Sequence, residues 1–359
     1  MSKYISKRFD TLEEYTPGEQ PRDRRYIKLN TNESPYPPSD GVLDALSREE
    51  AASLNLYPDP TCTALRGALA AYYGVGAGNV TVTNGSDEAL SFAFMAYCDG
   101  RTGCAFPEIS YGFYPVFAQL YSLDALAIPL KDDLSIDPAD YFGLGRTVFI
   151  ANPNAPTGIA LSLSQIEEIL KNNPNNIVVI DEAYVDFGAQ SAVGLTAKYP
   201  NLIVIGTYSK SRSMAGARLG FAIADAELIR DLEKIRYSTN PYNINRLTLV
   251  AGTQAVADAA YYEENCRKIA ATRESFTKKL RALGFSLPDS KANFVFARFP
   301  GISGERIFKK LRERGFLVRR FGTEKIKDYL RITIGTPEDM DALCEALRAV
   351  TAELADENK

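Results

Sequence analysis

The stretch Thr207-Tyr208-Ser209-Lys210-Ser211-Arg212-Ser213-Met214-Ala215-Gly216-Ala217-Arg218-Leu219-Gly220 decides how this chain is read. It follows the β-rich run Leu202-Ile203-Val204-Ile205 and sets a lysine between hydroxyl side chains, with an arginine eight residues on. Upstream, the apolar run Ile177-Val178-Val179-Ile180 closes on Asp181-Glu182-Ala183-Tyr184. Two more runs, Val80-Thr81-Val82-Thr83 and Thr147-Val148-Phe149-Ile150, end just before Asn84-Gly85 and Asn152-Pro153-Asn154. Most are too continuously apolar for one-sided strands, which predicts a mainly parallel sheet covered on both faces. Ligands of such sheets collect beyond the carboxyl ends of the strands. Gly85, Asn154, Asp181 and Lys210 all fall there.

Residue types in this pattern suit one cofactor, pyridoxal 5'-phosphate. Its aldehyde needs an amine, its phosphate needs N–H and O–H donors with a positive charge, and its ring nitrogen needs a carboxylate. Lys210 supplies the amine and, once displaced, a base for proton transfer. Asp181 alone reads equally well as the cap of a turn; its pairing with Lys210 favours the ring nitrogen. Tyr184 can donate its phenol to the 3-oxygen of the cofactor. Asn84-Gly85-Ser86-Asp87-Glu88 opens a helix expected over about 88–97, so Gly85, Ser86 and Asp87 can present backbone N–H groups at its positive end. Thr207, Ser209 and Arg218 add hydroxyls and a guanidinium.

With these motifs the chain resembles the aminotransferases of the aspartate-aminotransferase fold, most closely the histidinol-phosphate aminotransferases, over about residues 15–337. The resemblance implies an α/β architecture of fold type I, with a large domain built on a mostly parallel sheet between helices and a smaller α+β domain. It also implies that Tyr111 stacks on the cofactor ring and that Arg331, in Tyr329-Leu330-Arg331-Ile332, clamps the substrate carboxylate. An arginine inside an apolar run calls for an anion even without the family. Arg319 matches a second arginine that helps hold the substrate phosphate, a reading favoured over that of a solvated edge residue. Asn152-Pro153-Asn154-Ala155-Pro156-Thr157-Gly158 resembles a family loop but has Ala155 where an asparagine usually reaches the 3-oxygen. Either Asn154 reaches in from one position earlier or Tyr184 carries the contact alone. Leu29-Asn30-Thr31-Asn32-Glu33 matches a pocket-lining segment, which makes Asn32 a substrate contact. Tyr57 in Leu56-Tyr57-Pro58, and Tyr15 in Glu14-Tyr15-Thr16-Pro17-Gly18, are expected to reach the partner's site in a homodimer.

Composition is compatible with that reading. The 359 residues suggest two domains, at an ordinary globular 45% apolar and 24% charged. A net charge of −4 with no basic run argues against nucleic acid. Neither a signal peptide nor a membrane span is visible, and five cysteines without C-x-x-C spacing read as reduced packing thiols, so a cytoplasmic protein acting on small molecules is expected. Histidine is absent, which excludes Ser-His-Asp hydrolysis and usual His-rich zinc sites; no metal is expected. Gly74-Val75-Gly76-Ala77-Gly78-Asn79 imitates a dinucleotide fingerprint but precedes a strand, and reads as a helix-ending turn.

The expected organisation is an N-terminal arm over residues 1–35 joining the small domain, a large cofactor domain over 36–240 and a small α+β domain over 241–359. A helix is expected over 65–73, capped by Thr61 or Thr63, and the acidic tail 353–359 is expected to fray. The favoured function is amino transfer between L-histidinol phosphate and 2-oxoglutarate in histidine biosynthesis. Its rivals are an aromatic-amino-acid aminotransferase, an L-threonine-O-3-phosphate decarboxylase and, more remotely, a non-catalytic cofactor-binding regulator.

Overall fold

The apolar runs are strands, and they pair into one sheet. The computed structural model describes residues 4–10 and 12–357. Among these, a seven-stranded sheet runs in the order Val80–Thr83, Gly220–Ala224, Leu202–Thr207, Val178–Asp181, Thr147–Ala151, Cys104–Pro107 and Ala125–Ile128. Gly220–Ala224 is antiparallel to both its neighbours, and the other adjacent pairs are parallel. Every residue of the five central strands and of Val80–Thr83 is buried, as helices on both faces require. Three of these strands, Cys104–Pro107, Ala125–Ile128 and Gly220–Ala224, are additions to the sequence reading.

Helix Thr63–Tyr73 starts close to expectation, but neither Thr61 nor Thr63 caps it. Cys62 is the N-cap residue, at φ +49°, and Asp59 accepts N–H groups from Thr61 at 2.9 Å and Thr63 at 2.8 Å. Gly74 ends the helix at φ +68°. The glycine-rich segment after it is a turn, followed by a short 3-10 helix, Ala77–Asn79.

A second layer holds the antiparallel sheet Arg319–Arg320, Leu330–Thr333, Phe294–Ala297, packed with helices Ala259–Ala282, Gly304–Glu313 and Pro337–Asp356. The arm joins it through Ile27–Lys28, which runs parallel to Phe316–Leu317, and through buried Leu29. The division expected at residue 240 lies further along the chain. Ile244, Ala251, Ala255, Val256 and Tyr262 pack with the large sheet, whereas Cys266, Ile269 and Phe276 pack with the small one. The hand-over therefore falls inside helix Ala259–Ala282, where no composition change marks it. The tail is also more ordered than expected. Pro337–Asp356 is one helix, and Glu353 binds Lys310 at 2.5 Å and Arg314 at 2.8 Å; residues 358 and 359 lie outside the described residues. All five cysteines are free and buried.

Candidate active site

At the carboxyl edge of the large sheet, where the arm and the small sheet meet it, lies a cavity of about 640 Å³. Lys210 stands on the loop after strand Leu202–Thr207, with its Nζ donating to the Thr31 carbonyl at 3.0 Å. Burial, reinforced by the Arg331 charge, brings its ammonium pKa down to about 8. Asp181, at the end of the neighbouring strand, is buried. It accepts the Ala183 N–H at 3.1 Å and the Tyr114 hydroxyl at 3.3 Å. Burial outweighs those hydrogen bonds and pushes the carboxyl up to about 7. The Tyr184 hydroxyl accepts from Asn32 Nδ2 at 3.0 Å, and Lys210 Nζ lies 5.9 Å from its ring centroid.

Gly85, at φ +80°, precedes helix Ser86–Tyr97, whose first amides lack intrahelical acceptors. A Cβ at Gly220 would lie 2.4 Å from both Gly85 C and Ser86 N, so the cup closes only over glycine. Ser86, Asp87, Thr207, Ser209 and Arg218 line the same end of the cavity. Arg218, itself at φ +53°, reaches Asp87 at 3.3 Å and Ser209 Oγ at 3.4 Å. The Tyr111 hydroxyl donates to Asp87 at 2.6 Å.

On the small sheet Arg319 and Arg331 are directly opposed across an antiparallel pair, so both project from one face, and both line the cavity. Arg331 donates to the Asn30 carbonyl at 3.0 Å, while its buried Nε has no partner. Arg319 donates to the carbonyls of Thr16 at 2.7 Å and Pro17 at 3.1 Å. Arg320 turns the other way, to the Lys327 carbonyl at 2.9 Å.

Asn154, Tyr15 and Tyr57 take three different places. Asn154 does not reach the cavity: its side chain is engaged by Ser110 Oγ at 2.8 Å, the Ile109 carbonyl at 3.0 Å and Thr157 Oγ1 at 3.3 Å, and Ala155 lines the wall instead. Tyr15 lines the cavity of its own chain. The arm is drawn over its own mouth by Arg319 and by Tyr15 stacking on Phe113, ring centroids 4.4 Å apart. Tyr57 lies away from this cavity, 78% exposed and stacked on Tyr242. Sequence reasoning missed Tyr114 beneath Asp181 and the Thr31 carbonyl on Lys210. Tyr114, in the first turn of helix Phe113–Leu120 just after Tyr111, offered little signal among twenty tyrosines, and a backbone carbonyl offers none.

The family model described as aminotransferase class I and II matches residues 24–347. This chain belongs to that family. A histidinol-phosphate aminotransferase from Marinomonas sp. (strain MWYL1) is 53% identical to it over 98% of this chain and 100% of the relative. Another, from Brachyspira hyodysenteriae (strain ATCC 49526 / WA1), is 49% identical over 98% of this chain and 99% of its own length. Among solved structures, the histidinol-phosphate aminotransferase from Sinorhizobium meliloti in complex with pyridoxal-5'-phosphate matches with TM-score 0.84 and 25% identity over 92% of each chain.

Aminotransferases of this family are enzymes that use pyridoxal phosphate, and the residues present fit that group. A buried carboxylate that burial holds near half-ionised at neutral pH suits a cationic ring nitrogen. The helix start after Gly85, with Arg218, suits a phosphate, and the lysine lines the same cavity. Asp181 has a stability consequence in the cofactor-free protein. Its folded pKa is raised, so its contribution favours folding at low pH and is lost as pH climbs from about 4 through about 7. Asp181→Asn is therefore expected to raise the melting temperature of the cofactor-free enzyme by a few degrees at pH 8 and by little at pH 4, as read by calorimetry.

Proposed function

We propose that this aminotransferase exchanges an amino group between L-histidinol phosphate and 2-oxoglutarate, as a cytoplasmic homodimer in histidine biosynthesis. One observation carries the substrate reading: Arg319 and Arg331 oppose each other on one face of the small sheet, inside the cavity. Like charges directly across a strand pair are destabilising unless an anion stands between them. Two guanidinium forks can take a phosphate in one half-reaction and a carboxylate in the other. The full-length relatives bearing that enzyme name, at 53% and 49% identity, support the same choice.

Pyridoxal phosphate, when bound, supplies a ring that accepts the electron pair left on the substrate carbon. Lys210 would hold its aldehyde carbon, Asp181 its ring N–H, and Tyr184 its 3-oxygen. Gly85, Ser86, Asp87, Thr207, Ser209 and Arg218 would hold its phosphate, and Tyr111 its ring face. Lys210 Nζ, with its pKa near 8, is then the base that takes the proton from the amine-bearing substrate carbon. Arg331, Arg319, Asn32 and Tyr15 orient the substrate, and the arm with the small sheet limits water.

The dimer is supported by exposed apolar side chains on the segment leading to Tyr57, namely Leu43, Leu46, Leu54 and Leu56. From that face Tyr57 would reach the partner's site. Among the described residues no helix is long and apolar enough to cross a membrane. The test is steady-state kinetics on purified, cofactor-loaded protein with histidinol phosphate, phenylalanine and threonine phosphate. Amino transfer from histidinol phosphate should dominate; preference for phenylalanine, or carbon dioxide released from threonine phosphate, would overturn the assignment.

A further inference from the structure

Asn32 is buried at φ +57°, and all four of its polar groups are engaged. Its N–H donates to Thr333 Oγ1 at 3.0 Å, and its carbonyl accepts from Asn293 Nδ2 at 3.0 Å. Thr333 Oγ1 donates to Asn32 Oδ1 at 3.0 Å, and Asn32 Nδ2 donates to the Tyr184 hydroxyl at 3.0 Å. The direction of this chain follows from the threonine. Its hydroxyl already accepts the Asn32 N–H, it is 3% exposed, and its single proton finds its acceptor in Oδ1. A flipped carboxamide would strand that proton, at a cost of the order of a buried unmade hydrogen bond. With Oδ1 committed to Thr333, the nitrogen must face Tyr184. The phenol oxygen then accepts, and its own proton is left for the cavity.

We propose that Thr333, acting through Asn32, is a positioning residue that aims the Tyr184 proton at the cofactor's 3-oxygen. The arrangement matters in this chain because Ala155 lines the wall with a methyl group and the Asn154 amide is engaged elsewhere. The phenol therefore carries a contact that an asparagine cannot share. The inference rests on the proposed cofactor roles, and it goes beyond them by placing the control of that contact on the small sheet.

The experiment is a spectrophotometric pH titration of the cofactor-loaded enzyme and its Thr333→Val and Thr333→Ser variants, with cofactor dissociation constants from equilibrium dialysis. A hydrogen bond donated to the 3-oxygen favours its anionic form. Loss of aim in Thr333→Val should therefore raise the pH midpoint of the visible absorbance change by about one unit, tenfold in proton affinity. Thr333→Ser should keep the original midpoint. In a Tyr184→Phe background, Thr333→Val should add no further shift. Lys210, Arg331, Asp181 and Asp87 are the charged groups facing Tyr184, and all are retained in the Thr333 variants. Where Thr333→Val folds poorly, Thr333→Ala serves as the same deletion. A folded, loaded Val or Ala variant with an unmoved midpoint would overturn the proposal. Failure of the unaltered protein to take up pyridoxal phosphate would instead overturn the cofactor roles beneath it.

Discussion

Lys210→Ala is expected to lower single-turnover amino transfer by about 10²–10⁴-fold or more, because the variant loses both the amine and the base. The fold should survive. Nζ makes its hydrogen bond to one backbone carbonyl, Thr31 at 3.0 Å, and the ammonium is disfavoured where it stands by burial and by Arg331. Melting temperature should therefore be unchanged or slightly raised while turnover collapses. Pyridoxal phosphate should still bind through the glycine cup, Arg218 and Asp181, more weakly and without the absorbance of a lysine-linked cofactor. Added methylamine should restore part of the rate, since an external amine can act as the missing base. A Lys210→Ala protein with undiminished turnover would remove the chemical assignment of the cavity.

Arg331→Gln has the second largest expected effect. The variant should lose about 10²–10³ in kcat/KM for glutamate and for histidinol phosphate alike, mostly through KM. A two-pronged charge-assisted contact of about 3–4 kcal/mol corresponds to that factor. The cofactor should still bind, because Arg331 lies on the small sheet and the phosphate cup on the large one, while loss of its charge should raise the proton affinity at Lys210. Stability should hold as well. The guanidinium is buried with Nε unpartnered and Arg319 opposite, so removing its charge relieves a desolvation cost and a repulsion. An unchanged KM for both substrates would show that anion recognition resides elsewhere.

These two residues differ in how readable they were. Lys210 was legible because a buried parallel strand, a hydroxyl-flanked lysine and an arginine follow one another in local sequence. Arg331 was legible as an arginine in an apolar run. Its pairing with Arg319 depends on the register of two strands, which local pattern does not set. The role of Asn154 was left open for the same kind of reason. One position in a proline-rich loop separates a side chain facing the cavity from one tied to Ser110 and Ile109, and only the folded loop chooses between them. The domain hand-over inside helix Ala259–Ala282 was invisible because a helix buried along two cores carries one continuous periodicity.

The order of apolar runs and the polar residues at their ends were sufficient to determine the parallel sheet, its ligand-bearing edge and the lysine chemistry there. Those are short-range matters, set by burial of both strand faces and by residue type. The tertiary structure alone decided that the arm lies over its own cavity, that two arginines face one anion site, and that a threonine 301 residues from Asn32 orients it toward Tyr184. Each of these depends on the mutual placement of segments far apart in the chain, which packing of the two cores fixes and local sequence does not.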